Sequence, residues 1–135
     1  MTTMDLSPQR PFRNSELPSE VRVEASLSFL FHEGESDAID SGWPVDVRTL
    51  VVALRTELGI PNAPFLAGQL AYEGKSSSFN MLVNNLPNQI SDTFLVSADG
   101  LALDPADTEN VHFGHDAQVE LGRRYARKMI EAHGW

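Results

Sequence analysis

Apolar residues fall at every second position from Val21 to Phe31: Val21, Val23, Ala25, Leu27, Phe29 and Phe31. A two-residue period is that of a β-strand. Leu30, on the other face, implies that the carboxyl end of the strand is covered on both sides. The run stops abruptly at His32-Glu33-Gly34-Glu35-Ser36-Asp37. A polar turn at the carboxyl end of a buried strand is where parallel-sheet enzymes often place chemistry.

The period then changes. Val47, Leu50, Val51, Leu54 and Leu58 recur at i, i+3, i+4, i+7 and i+11, which predicts an amphipathic helix over 46–59. Gly59 supplies its carboxyl cap and Pro61 prevents its continuation. Residues 64–71 read as a second buried strand, 79–86 as a short helix ended before Pro87, and 93–98 as a third strand. In the closing segment, Leu121, Tyr125 and Met129 share a helical face with Ala126 and Ile130. Asp116 and Glu120 lie early in that helix and Arg123, Arg124, Arg127 and Lys128 late, the order that suits the helix dipole. His133 falls in what reads as a frayed tail. Strand and helix in alternation predict an α/β layered fold. Residues 1–20, with Pro8, Pro11 and Pro18, read as a flexible lead-in, and 21–135 as one domain.

A length of 135 residues suits one domain. Ten basic against nineteen acidic residues leave a formal charge of −9, which disfavours phosphate backbones and anionic lipid as partners. Cysteine is absent, which removes disulfides and thiolate sites. The first twenty residues have no apolar h-region, and no apolar run approaches a membrane span. The expectation is a soluble, cytoplasmic chain that needs no membrane, although a longer parent protein could be secreted.

Three constellations could carry chemistry. Gly34-Glu35-Ser36-Asp37-Ala38 is similar to the nucleophile elbow G-x-S-x-G with alanine in the last place, making Ser36 a rival nucleophile. Gly42 and Pro44 delay the following helix, however, and a plain polar turn is the favoured reading. In Glu109-Asn110-Val111-His112-Phe113, a carboxylate three residues before an imidazole can fix its tautomer, as the acid of a serine-hydrolase triad does. Glu109, His112 and His115 also offer a weak metal-ligand pattern, set aside for want of a companion cluster and because His115 opens a helix.

Several stretches together resemble a known family. "FLFHEGESDA" resembles the W-H-Q-G-E-S-D block of the sialate O-acetylesterase and acetyl-xylan esterase group, the carbohydrate-esterase branch of the SGNH/GDSL hydrolases. "ENVHFGHDAQVELGRRYARKM" is similar to that group's closing D-x-x-H-F block and last helix, and 51–71 and 93–101 resemble the intervening helix–strand and late-strand segments. The resemblance implies a flavodoxin-like, three-layer α/β/α sandwich on a parallel sheet, hydrolysing O-acetyl esters of carbohydrates without metal or organic cofactor. It puts His112 on the catalytic histidine, Glu109 on the aspartate that orients it, and Glu33, Gly34 and Glu35 on the oxyanion and substrate rim. Glu33 stands where the family has glutamine, and an ionised carboxylate donates no hydrogen bond. The family's serine lies in a Gly-Gln-Ser-Asn block on an earlier strand, and that block is not found in these 135 residues; Ser7, Ser15 and Ser19 follow no buried strand. The resemblance therefore implies a domain shortened at its N-terminus, with an open sheet edge and an apolar helix face. Such a chain is expected to self-associate or to meet a complementing N-terminal chain. A catalytically inactive fragment or binding module is the alternative.

Overall fold

A computed structural model describes residues 27–34 and 40–135. The lead-in, the strand positions from Val21 to Ser26, and Glu35 and Ser36 lie outside the described residues. The elements are β1 (Phe29–Phe31), α1 (Trp43–Glu57), β2 (Phe65–Gly68), a 3₁₀ turn (Ser77–Phe79), α2 (Asn80–Gln89), β3 (Thr93–Val96) and α3 (His115–His133). The strands form one parallel sheet in the order β1-β2-β3. Phe29 sits opposite Phe65, and Phe65 opposite Thr93.

Side-chain alternation along these strands sorts two cores. Phe65, Ala67 and half-buried Phe29, Phe31 and Leu95 pack on one face with Val47, Val51, Phe79, Val83 and Leu86, so α1 and α2 form that layer. Leu66, Val96 and half-buried Phe94 pack on the other face with Phe113, Leu121 and Tyr125, so α3 forms the third layer. The fold is the expected α/β/α arrangement on a parallel sheet. Val51, Leu66 and Leu86 are fully buried, each stabilising the fold by about 1.5–3 kcal/mol relative to exposure.

Three readings change. The helix expected to stop before Pro87 runs on to Gln89. Pro87 falls in its last turn, where its missing N–H forfeits a single bond, and Leu86 and Ile90 are held in the core on either side. Helix α1 begins at Trp43, with Pro44 in its first turn, where proline suits helical φ rather than delaying the helix. Its buried face is Trp43, Val47, Val51 and Arg55, whereas Leu50, Leu54 and Leu58 stay exposed among the described residues. Two apolar stripes adjoin on this helix, and the sequence period alone does not say which the sheet covers. Arg55 joins the buried stripe because its guanidinium donates to the carbonyls of Ala63 (2.8 and 3.1 Å) and Ser91 (2.9 Å), tying α1 to the turns that enter β2 and β3.

The open edge is present among the described residues: β1 ends the sheet, and Leu30, whose face was expected to be covered, is 61% exposed because α3 packs over β2 and β3 rather than over it. No helix among the described residues is long and apolar enough to cross a membrane.

Candidate active site

The carboxyl ends of the strands are fastened together by one residue. Gln69, just past β2, accepts the N–H of Ala98 (3.1 Å) and the hydroxyl of Tyr72 (3.1 Å) at Oε1, and donates from Nε2 to Asn84 (2.7 Å). Its backbone carbonyl lies 3.0 Å from Nε2 of His32, just past β1. A carbonyl only accepts, so Nε2 of His32 carries the proton and, in the neutral ring, Nδ1 is an acceptor. The His32 ring packs on Phe113, with centroids 5.8 Å apart. Burial pushes the Tyr125 hydroxyl well above the usual tyrosine range, and it donates to the Phe31 carbonyl at the tip of β1. A side chain at Gly68 would collide with that hydroxyl and with His32, which is why β2 ends on glycine.

Gly34 serves a comparable purpose. Its φ of 127° is open to glycine alone, and a Cβ there would strike the Phe79 ring. Glu33 beside it is exposed.

His112 lies on a loop whose backbone is pinned on both sides. Leu103 and Phe113 form an antiparallel bridge, Asp104 N–H donates to the His112 carbonyl (2.8 Å), and Gly114 N–H donates to Ala102 (3.0 Å). Asn110 takes a left-handed φ of 60°, and Lys75 N–H donates to its carbonyl (3.0 Å). That turn brings Asp107 back onto the loop. Asp107 Oδ2 accepts the N–H groups of Val111 (2.8 Å) and His112 (2.7 Å) and lies 3.2 Å from His112 Nδ1, while Oδ1 accepts Glu109 N–H (3.0 Å). The backbone donors of His112 and Val111, more than the imidazole, hold the Asp107 carboxyl well below its usual range.

Glu109, chosen from sequence spacing, is exposed and stands beside this pair: one ligand atom from each of Asp107, Glu109 and His112 lies within 4.8 Å of the others. His115, the first residue of α3, is not in that group. The cluster suits a hydrogen-bonded dyad better than a metal. Both Asp107 oxygens are already engaged by backbone N–H groups, three donors crowding Oδ2, which leaves little lone-pair capacity for a cation.

His32, His112, Phe113, Gln118, Leu121, Gly122 and Tyr125 line a cavity of about 450 Å³ above the sheet's carboxyl ends. Two imidazoles thus share one largely apolar pocket, while Glu33 and Gly34 are not in its lining. Sequence reading passed over His32, Gln69 and Asp107. The signal for Asp107 was an acid five residues before His112 with an asparagine between them able to take the left-handed turn.

The family model of the sialic acid-specific acetylesterase carbohydrate esterases matches residues 15–131. The chain belongs to that carbohydrate esterase family. Among solved structures, it is similar to a protein from Arabidopsis thaliana determined at 1.6 Å, with 27% identity over 77% of this chain and a TM-score of 0.62. The chain spans 44% of the length of that relative. No curated protein matches it. Within this esterase family, His112 and its neighbours occupy the carboxyl edge of a parallel sheet, where α/β folds concentrate their sites.

Proposed function

We propose that these residues form the base side of a carbohydrate O-acetyl ester hydrolase. The observation that carries the reading is the Asp107–His112 dyad beside the pocket at the strands' carboxyl ends. In this reading His112 takes the proton of an attacking serine and later gives it to the departing sugar hydroxyl. Asp107 donates no proton; it holds His112 in the Nδ1–H tautomer and stabilises the imidazolium. Glu109 lies alongside the pair, and the exposed Glu33 with Gly34 follows His32, which lines the pocket. The substrate is an acetylated carbohydrate, and no metal or organic cofactor takes part.

The 135 residues contain no Gly-Gln-Ser-Asn segment; in this reading the serine is carried by a polypeptide segment outside them, here taken as a complementing chain, that pairs with the open β1 edge. Leu30 on that edge and the exposed Leu50, Leu54 and Leu58 of α1 are apolar surface that such a chain would cover. Homo-oligomerisation through the same edge is the competing occupant, and Ser36 is the competing nucleophile. The second reading is a non-catalytic module, favoured by Glu33, which donates no hydrogen bond to an oxyanion when ionised.

The test is acetate release from an O-acetylated sugar by the full chain, alone and mixed with a polypeptide carrying a strand and Gly-Gln-Ser-Asn. Turnover only in the mixture, abolished by His112→Ala, supports the proposal. Turnover by the chain alone that Ser36→Ala abolishes assigns Ser36 instead. No turnover in either, with binding of the sugar retained, leaves the module.

A further inference from the structure

A serine–histidine pair lies at the opposite end of the sheet. Ser28, one residue before β1, places Oγ 2.7 Å from Nε2 of His133. His133 is the last residue of α3, ordered there rather than frayed, and its ring stacks on Trp135 with centroids 4.8 Å apart and planes 17° from parallel. The helix ends in a left-handed Gly134, which turns Trp135 back over the imidazole. The two partners are 105 residues apart in sequence, so the fold itself brings them together. His133 lines a groove of about 380 Å³ together with Leu27, the neighbour of Ser28, and with Ile60 to Pro64 and Ala132. Asn62, in that groove, is exposed, and its side-chain amide has no hydrogen-bond partner among the described residues.

These are the parts of a nucleophilic site: a hydroxyl on a base, a ring packed on the base, and an amide donor in the groove that the base lines. We propose that Ser28 and His133 form a second acyl-transfer site, whose substrates are small activated esters. Ser28 Oγ attacks the ester carbonyl while His133 Nε2 takes the hydroxyl proton. The bond to the leaving alcohol or phenol breaks, and that oxygen receives the proton from His133. Water, activated by the same nitrogen, then cleaves the acyl-serine, releasing the acid and restoring the hydroxyl. Asn62, which lines the same groove as His133, is assigned as the oxyanion donor. This inference does not rest on the reading of His112.

The experiment is intact-mass labelling of the full chain with a serine-directed fluorophosphonate and with p-nitrophenyl acetate, followed by peptide mapping. The expected result is one adduct on Ser28, absent in Ser28→Ala, unchanged in Ser78→Ala, and formed about 100-fold more slowly in His133→Gln. Glutamine can still accept the Ser28 hydrogen bond but cannot act as the base, so thermal unfolding of that variant should match the wild type. Its labelling rate should also lose the rise with pH that histidine deprotonation gives. A Ser28 adduct that forms as fast in His133→Gln overturns the proposal and leaves a structural tie between α3 and β1. So does the absence of any adduct on folded protein. An adduct mapped to Ser36 refutes it too, and bears instead on the site at the other end of the sheet.

Discussion

Replacing Asn80 by alanine should destabilise the protein by about 2–6 kcal/mol. Asn80 is 4% exposed and grips the backbone of Leu70 with both ends of its amide: Oδ1 accepts Leu70 N–H at 2.7 Å, and Nδ2 donates to the Leu70 carbonyl at 2.8 Å. Leu70 is itself 1% exposed, so removing the amide strands one donor and one acceptor away from water. Each orphaned buried group costs about 1–3 kcal/mol. That loss is a large part of the ~5–15 kcal/mol that holds a domain together. Asn80→Asp is the sharper variant, since it keeps the acceptor for Leu70 N–H but turns a second oxygen towards the Leu70 carbonyl. Exposed Asn85→Ala should stay within about 0.5 kcal/mol of the wild type. Urea unfolding followed by far-UV circular dichroism measures all three, with an unchanged m-value confirming that the native state alone is affected. Leu70 follows Gln69, whose carbonyl holds His32, so the Asn80 variants should also shift the His32 ring resonances. An Asn80→Ala cost below about 0.5 kcal/mol would refute the reasoning that this contact fixes the carboxyl end of β2.

The Asp107 carboxyl is held below its ordinary range by backbone donors that exist only in the fold. A depressed folded value stabilises the protein above the unfolded value and loses that effect as the pH falls further. Stability should therefore decline as the pH drops below about 4, and Asp107→Asn should flatten that part of the profile in acid-unfolding curves. Gly34→Ala should cost about 2–3 kcal/mol, because it combines a strained φ with a clash on Phe79. Gly59→Ala, with a positive φ but open space around it, should cost about 1 kcal/mol, both variants being measured by urea unfolding.

Of the alternation, Phe29 and Phe31 fall in β1 and turn to one core, while exposed Leu27 precedes it and the earlier positions lie outside the described residues. The apolar run over Phe65–Gly68 was legible because it is buried on both faces, and α3 because Leu121 and Tyr125 are buried, although Ala126 and Ile130 of the expected stripe are exposed. Helix α1 was legible as a helix but not in orientation: Leu50, Leu54 and Leu58 are as apolar as Val47 and Val51, and only the sheet decides between the stripes. Pro87 misled because local propensity stops a helix that Leu86 and Ile90 carry through by packing. His112 stood out as an imidazole next to an acid and an aromatic. Asp107 did not, because its approach depends on the left-handed turn at Asn110, a backbone event with no side-chain period. His32 and Gln69 meet only when two strand ends lie side by side, and Ser28 meets His133 only when α3 crosses the sheet.

The dyad itself can be tested most directly by long-range ¹H–¹⁵N NMR of the His112 ring at a pH where the imidazole is neutral. The carboxylate of Asp107 only accepts, so the proton should sit on Nδ1, with Nε2 bare and able to act as a base. Asp107→Asn should abolish that preference. A wild-type ring protonated on Nε2 with Nδ1 bare would contradict the account, because His112 could then neither be oriented by Asp107 nor take a proton from a serine.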